Sequence, residues 1–165
     1  MTLFGLTTPA GLSQSGVDAF WMHHALGLAQ QAAEQGEVPV GALVVHEGVC
    51  IGAAANAPIA LHDPTAHAEV LALREAGRTL RNYRLTGATL YVTLEPCPMC
   101  AGAMVHARIG RLVYGANDEN SGSAGSVFNL LQSDYLNHRL SAINQCCVVE
   151  SAQLLKAFFL SRRVP

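Results

Sequence analysis

The sequence predicts an α/β protein, a three-layer α/β/α sandwich around a mixed central sheet of about five strands. Apolar residues recur at helical spacing in several segments, and short β-branched runs lie between them. Strands that alternate with helices are typical of layered α/β domains. The 165 residues suit one domain, and a chain that is 50% hydrophobic and 13% charged is core-rich and far from the disordered class.

The N-terminus predicts a flexible arm over residues 1–15, which are rich in Gly, Thr and Ser, followed by a single domain over residues 16–165. This arm has no basic residue and no long apolar core, so it does not resemble a signal peptide. No apolar run reaches the roughly 18–20 residues that a membrane helix needs. We therefore expect a cytoplasmic protein without membrane contact, whose five cysteines stay reduced.

The first elements are a helix and a hairpin. Apolar spacing predicts a helix from Val17 to about Glu34, and Gly36 ends it. Two apolar runs, 40–45 and 49–55, flank a turn at Glu47-Gly48 and therefore predict a β-hairpin.

The second half continues the alternation. A cap and a first-turn proline at 63–65 predict a helix to about Leu80. The further predicted elements are a strand at Thr89–Leu94, a helix at Pro98–Arg108, a strand at Arg111–Tyr114, a polar loop at Asn117–Ser126, a short helix at Val127–Leu131, a strand at Cys146–Val149 and a helix at Ser151–Ser161. Because neighbours in a strand point to opposite faces, Cys146 and Cys147 are expected to serve packing separately.

Two segments carry a possible metal site, Thr65–Glu69 and Glu95–Cys100. Cys97 and Cys100 are three residues apart where a helix begins, so both sulfurs lie on one face near a helix N-terminus that favours thiolate. His67 is the natural third ligand. Three protein ligands leave a fourth position for water, which is the arrangement of a catalytic rather than a structural zinc site.

Glu69 is the candidate proton carrier. It lies two residues after His67, and at a first helical turn both side chains can lean toward a metal beyond the helix end. A carboxylate that does not bind the metal but adjoins metal-activated water performs general acid/base chemistry. CxxC alone is often structural or redox-active, and HxE alone is usually a polar helix start. Together, H-x-E and P-C-x-x-C are the signature of zinc nucleobase deaminases.

Several blocks around these motifs resemble the bacterial tRNA-specific adenosine deaminase family. The similar blocks are 37–42, 62–69, 82–85, 88–102, 108–111 and 137–139. The resemblance spans roughly residues 19–163, nearly the whole chain. It implies hydrolytic conversion of adenosine to inosine at the wobble position of a tRNA anticodon. It also implies a cytidine-deaminase-like fold, a homodimer, and one zinc ion per subunit.

The resemblance implies a mechanism and further site residues. Zinc-activated water attacks C6 of a flipped-out adenine, while Glu69 protonates N1 and then the departing amine. Five substrate contacts are carried over: Asn56 hydrogen-bonds the target nucleoside, Val40 lines the base pocket, Asp118 contacts the nucleotide backbone, and Phe159 and Arg162 meet the anticodon stem-loop.

The charge distribution has two explanations, and two alternative functions also stay open. Residues 1–73 hold six acidic and no basic residues, whereas residues 74–165 hold ten basic and six acidic ones, so the halves carry −6 and +4. The basic second half could bind a polyanion, although drift of surface charge explains the asymmetry equally well.

One alternative function is a zinc-dependent deaminase of free nucleobases or nucleosides, of guanine or cytosine type. The other is a non-enzymatic module in which four protein ligands close the zinc site.

Overall fold

A computed structural model describes residues 3–163 and places one five-stranded sheet between two layers of helices. The helices are α1 (Gln14–Glu34), α2 (Pro58–Leu61), α3 (Ala68–Leu80), α4 (Pro98–His106) and α5 (Val148–Arg162), and the strands are β1 (Gly41–His46), β2 (Val49–Ala55), β3 (Thr89–Leu94), β4 (Arg111–Ala116) and β5 (Ala142–Gln145). The predicted fold class is confirmed.

The sheet is mixed, with the strand order β2-β1-β3-β4-β5. β1 is antiparallel to both β2 and β3, whereas β3, β4 and β5 run parallel to one another. The carboxyl ends of β3 and β4 therefore meet at one edge of the sheet, where the segments that follow these strands become neighbours. None of the helices within residues 3–163 combines the length and the apolar character that a membrane span requires.

The strands alternate their side chains between two apolar layers, as the period of two requires. On one face, Leu43, Tyr91 and Val113 pack against α1, whose Trp21 is fully buried. On the other face, the neighbouring side chains pack against α3 and α4; they include Val44, Leu90 and Leu112. α5 lies beside α1 over β4.

Two glycines of the hairpin let helices approach the sheet at backbone distance. A Cβ atom at Gly41 would overlap the Ala25 carbonyl oxygen of α1, and a Cβ atom at Gly52 would overlap the Ala72 carbonyl oxygen of α3. No larger residue fits either position unless a helix moves away from the sheet. The α1 and α3 layers are therefore held at backbone contact from opposite sides of the hairpin.

The N-terminal segment runs beside β2. Ser13 caps α1, so the helix begins at Gln14 and the predicted boundary between residues 15 and 16 falls inside it. Ahead of the cap, the Gly5 amide donates to the Cys50 carbonyl at 3.0 Å, and the Thr8 amide donates to the Gly48 carbonyl at 2.7 Å. The flexibility of residues 1–15 stays a prediction, and its first two residues lie outside the described range.

The helix predicted from 63–65 starts later, at Ala68, with His67 as its N-cap. Asp63 does not cap it, because its carboxylate accepts hydrogen bonds from the Thr65 amide and hydroxyl at 2.8 and 2.7 Å and forms a separate turn. The predicted end at Leu80 is confirmed.

The short helix predicted at Val127–Leu131 is wrong. The amides of Val127 and Phe128 both donate to the Gly122 carbonyl, and the Leu130 amide donates to the Ser123 carbonyl. These bonds fold the segment back on the preceding loop, whose carbonyls take the amide donors that a helix would have used.

The last strand was predicted four residues too late. β5 is Ala142–Gln145, and α5 already begins at Val148, after Cys147 adopts a left-handed backbone with φ 54° and ψ 42°. The prediction that the Cys146 and Cys147 side chains point to opposite faces is also wrong, because their sulfurs lie 3.6 Å apart. The apolar run 146–149 marks the start of a helix instead.

Candidate active site and metal centre

Three predicted ligands converge at the N-termini of two helices. His67 is the N-cap of α3, Cys97 is the N-cap of α4, and Cys100 lies within the first turn of α4. His67 Nδ1 is 3.7 Å from Cys97 Sγ and 3.5 Å from Cys100 Sγ. A tetrahedral zinc ion, with Zn–S of about 2.3 Å and Zn–N of about 2.05 Å, would set such atoms roughly 3.6 Å apart. The three side chains therefore fit one zinc ion.

The set leaves room for a ligand that the protein does not supply. Among the described residues, no fourth His, Cys, Asp or Glu has its donor atom within 4.8 Å of all three. This is the arrangement of a catalytic site, since a structural site closes the tetrahedron with a fourth side chain.

The protons of the ligand set are unevenly distributed. A hydrogen bond with Cys100, helped by His67 and opposed by burial, lowers the pKa of Cys97 to about 4. The hydrogen bond with Cys97, followed by burial and the charge of Glu69, raises the pKa of Cys100 far above its ordinary value. The two thiols thus differ in acidity, and a cation bound to both sulfurs would favour loss of the Cys100 proton.

Glu69 lies beside these ligands and is shielded from solvent. It is the second residue of α3 and only 3% exposed, and burial raises its pKa to about 7. Its Oε2 atom is buried and has no hydrogen-bond partner within residues 3–163. A buried, unpaired carboxylate oxygen is costly and therefore indicates a functional position. A carboxyl that titrates near neutrality can both accept and donate a proton.

A cavity of about 170 Å³ opens onto this cluster. It is lined by Val38, Val40, Asn56, His67, Glu69, Leu94, Glu95, Cys97, Asp118 and Ser121. Three predicted substrate contacts are therefore brought to the candidate metal site: Val40, Asn56 and Asp118. A larger cavity of about 660 Å³ on the outer side of α3 and α4 contains none of the ligands, so its size does not make it the reaction site.

Asn56 and Asp118 are both fixed by hydrogen bonds. The side-chain oxygen of Asn56 accepts from the Ala68 amide at 3.2 Å, at the start of α3. The Asp118 carboxylate accepts from the Asn120 amide at 2.9 Å and the Ser121 hydroxyl at 2.7 Å, within its own turn. Burial raises the pKa of Asp118, but the hydrogen bonds from Ser121 and Asn120 outweigh burial and hold this pKa below its ordinary value.

The two residues of the last helix differ in their placement. Phe159 is 49% exposed and lines a neighbouring cavity that shares Asp118 and Ser121 with the first. Arg162 lines neither cavity. Its guanidinium donates to the Gly36 carbonyl at 2.7 Å and lies 4.3 Å from the centre of the Phe158 ring. The structure thus brings Phe159, but not Arg162, to the edge of the site.

Sequence analysis missed Glu95, which directly follows β3 and also lines the cavity. It is 1% exposed, and its carboxylate accepts hydrogen bonds from the amides of Asp118, Ala124 and Ser126 at 3.0, 3.0 and 3.1 Å, as well as from the Ser126 hydroxyl. An acid at the end of an apolar strand was the signal available, but its partners lie 23 to 31 residues away.

A second cluster of possible ligands lies at the start of α5. Donor atoms of His23, Cys147 and Glu150 lie within 4.8 Å of one another. The histidine and the glutamate are exposed, and His23 Nδ1 lies 2.6 Å from the Ala19 carbonyl oxygen. Burial, together with the Cys146 thiol, raises the pKa of Cys147 to about 12. The members are too far apart in sequence for spacing to reveal this cluster.

Comparisons with known proteins match this chain to deaminases. The family profile described as MafB19-like deaminase matches residues 18–163. The tRNA-specific adenosine deaminase of Haemophilus influenzae is 46% identical over 151 residues, which cover 91% of this chain and 87% of that protein. The enzyme of the same name from Bacillus subtilis is 44% identical over 146 residues, 88% and 91% of the two chains.

Among solved structures, a chain from a study of A-to-I editing by tRNA:A34 deaminases at the wobble position of transfer RNA superposes with a TM-score of 0.79. It is 42% identical, and the match covers 82% of this chain and 99% of that one.

Proposed function

Because the chain belongs to the family of tRNA-specific adenosine deaminases, we propose that it converts adenosine to inosine at the wobble position of a tRNA anticodon. The observation that carries this proposal is the unpaired, buried Glu69 carboxylate oxygen at the cavity lined by His67 and Cys97, beside three side chains that could hold a metal ion. Water enters the reaction, and ammonia leaves it. The predicted cytoplasmic location belongs to the same proposal.

One zinc ion per subunit would be held by His67, Cys97 and Cys100. Mixed nitrogen and sulfur ligands favour zinc over hard cations. When bound, zinc supplies Lewis-acid activation of water at neutral pH. The non-enzymatic alternative lacks support, because it needs a fourth protein ligand that the described residues do not provide.

Glu69 moves the protons. Its carboxylate accepts a proton from the water whose oxygen attacks C6 of adenine, and it delivers that proton to N1 of the ring. It then passes the second proton of the water to the amine at C6, which departs as ammonia. Burial raises the pKa of its carboxyl toward neutrality, which favours a group that both accepts and donates a proton.

The base would reach these groups by leaving the anticodon stack. Val40 would pack against the ring. Asn56, which directly follows β2 and whose amide donates to the Val40 carbonyl at 2.9 Å, would hydrogen-bond the nucleoside beside it. Asp118 would contact the nucleotide backbone at the cavity rim. Phe159, exposed at the adjoining cavity, offers a ring on which an unstacked loop base could stack. The contact predicted for Arg162 would require its guanidinium to leave Gly36.

A second copy of the chain would cover the outer side of α3 and α4. The 660 Å³ cavity there has an apolar floor that includes Val70, Leu73 and Ala103. His106 lines the same groove, and the exposed Tyr83 lies at its edge. The substitution Ala103→Glu places a charge on this floor and is expected to give monomers in sedimentation equilibrium. A monomeric wild-type protein would contradict the homodimer.

The direct test is incubation of the zinc-loaded protein with an anticodon stem-loop that carries adenosine at the wobble position. Inosine should form there and nowhere else in the loop. Free adenosine, guanine and cytosine compounds serve as parallel substrates. Turnover of these small molecules without action on the stem-loop would replace the proposal by the free-base alternative.

A further inference from the structure

We infer that Glu95 is a positioning residue that holds the segment 118–126 as one wall of the cavity and so sets the place of Asp118 toward the substrate. The inference deepens the function proposed above and rests on it for the identity of the substrate. The hydrogen bonds of Glu95 stand independently of that function.

The Glu95 carboxylate is fully engaged with this one segment. Oε1 accepts from the Ala124 and Ser126 amides, and Oε2 accepts from the Asp118 amide and the Ser126 hydroxyl. Hydrogen bonds to an ionised acceptor are about twice as strong as neutral ones, and burial shields these from water. One side chain thereby fixes both ends of the segment.

The surroundings of Glu95 leave little freedom for the wall. A Cβ atom at Gly122 would overlap Glu95 Oε2 and the Asp118 carbonyl oxygen, so only glycine fits there. The Ser123 amide donates to the Pro96 carbonyl at 2.8 Å, directly beside the ligand Cys97. The carboxyl end of β3 thus carries both a metal ligand and the anchor for the segment that follows β4, and the distance between ligand and wall is fixed.

The two oxygens differ in a way that makes glutamine an informative substitution. Both partners of Oε1 are backbone amides, which can only donate. At Oε2, the Ser126 hydroxyl can rotate and accept, whereas the Asp118 amide cannot. In Glu95→Gln, the amide nitrogen is therefore expected at the Oε2 position. The variant releases Asp118 and keeps the bonds to Ala124 and Ser126.

The first experiment measures amide hydrogen exchange of zinc-loaded Glu95→Gln without substrate. The Asp118 amide should exchange at least about tenfold faster than in the wild type, because a bond to a charged group contributes about 1.5–3 kcal/mol and 1.4 kcal/mol is tenfold. The amides of Ala124 and Ser126 should change less. Zinc content should stay the same.

The second measurement is the kinetics of the same variant on the anticodon stem-loop. We expect KM to rise at least about tenfold and kcat to change less, because Asp118 holds substrate while the ligands and Glu69 are untouched. Glu37→Gln is the matched control. Glu37 is another buried carboxylate, 2% exposed, but it accepts from the Ala60 amide at 2.8 Å and has no bond to the wall.

The outcomes separate the two proposals. Unchanged Asp118 exchange in Glu95→Gln overturns the role of Glu95, and so does a fall in kcat at constant KM. A wild-type protein that does not edit the stem-loop overturns the proposed function, while the exchange result still decides the anchoring. If Glu95→Gln does not fold, Gly122→Ala perturbs the same contact from the wall side and is expected to raise Asp118 exchange and KM.

Discussion

Within residues 3–163, two clusters bring together histidine, cysteine and glutamate side chains, and only one of these two has the features of a reaction centre. In each, a cysteine is the N-cap of a helix: Cys97 for α4 and Cys147 for α5. The first cluster faces a cavity with an unpaired Glu69 oxygen, whereas the second exposes His23 and its glutamate. The pKa of Cys97 is lowered to about 4, and that of Cys147 is raised to about 12.

The contrast between the two clusters indicates that closely spaced ligand atoms alone do not make a metal-binding site. Cys97 has an extended backbone. The Cys100 thiol and the His67 imidazole lie beside its sulfur. Cys147 has a left-handed backbone, and its near sulfur neighbour is Cys146, whose thiol disfavours the thiolate. We therefore expect zinc in the first cluster alone.

The largest effect is expected from removing one ligand in each cluster. Cys100→Ser should lower zinc far below one ion per chain and abolish deamination. Cys147→Ser, the matched change, should keep both. Metal analysis of the dialysed proteins, together with the stem-loop assay, measures this. A drop in zinc on Cys147→Ser would remove the distinction between the clusters.

Substitution of Glu69 and of Glu150, one glutamate from each cluster, tests which cluster takes part in catalysis. Glu69→Gln should lower kcat roughly 10²–10⁴-fold, the usual contribution of general acid/base catalysis, with folding and zinc content retained. Glu150→Gln in the second cluster should have no such effect. Full activity of Glu69→Gln would exclude the proton-carrier role.

The pH dependence of thiol reactivity sharpens the comparison further. Since burial raises the pKa of Cys147 to about 12, its thiolate fraction increases with pH throughout the range below that value. Its alkylation rate should therefore rise about tenfold per pH unit from pH 7 to 10, with or without added zinc. Mass spectrometry of the modified peptide follows this rate. A plateau below pH 10, or protection by zinc, would point to a metal-binding thiolate.

The smallest expected effect concerns the backbone of Cys147. Its φ of 54° lies in the left-handed region, which glycine adopts without strain. Cys147→Gly should be more stable than Cys147→Ala by about 1 kcal/mol, since both remove the sulfur and only alanine keeps a Cβ atom. Urea denaturation measures the difference. Equal stabilities would show that the left-handed backbone is not kept in these variants.

Much of the fold was accessible from sequence because the signals were local. The hairpin turn, the strand Thr89–Leu94 and the end of α3 at Leu80 follow from periodicity and turn residues. The motif spacing around His67 and Cys97 also predicted a cluster whose ligand distances fit zinc.

The wrong predictions fall where contacts other than the local hydrophobic period decide the structure. Residues 127–131 fold back because Gly122 and Ser123 take their amide donors. β5 escaped notice because it is a half-exposed edge strand with the polar end Asn144-Gln145, and the apolar run beside it was mistaken for the strand. Glu95 could not be recognised as an anchor, since its three amide partners become its neighbours only through the pairing of β3 with β4.

The absent side chain at Gly52 has a consequence for engineering this protein. Because Gly52 has no Cβ atom, α3, which includes Glu69, lies at a fixed short distance from the sheet. Gly41 has the same effect on the distance between α1 and the sheet. A library that varies the rim at 118–121 and 159 can explore new substrates, because it leaves this spacing alone. Randomisation of positions 41 and 52 should return glycine, because a larger residue at 41 pushes α1 away from the sheet and a larger residue at 52 pushes α3 away. Only the change at position 52 is expected to move Glu69 relative to the cysteine sulfurs.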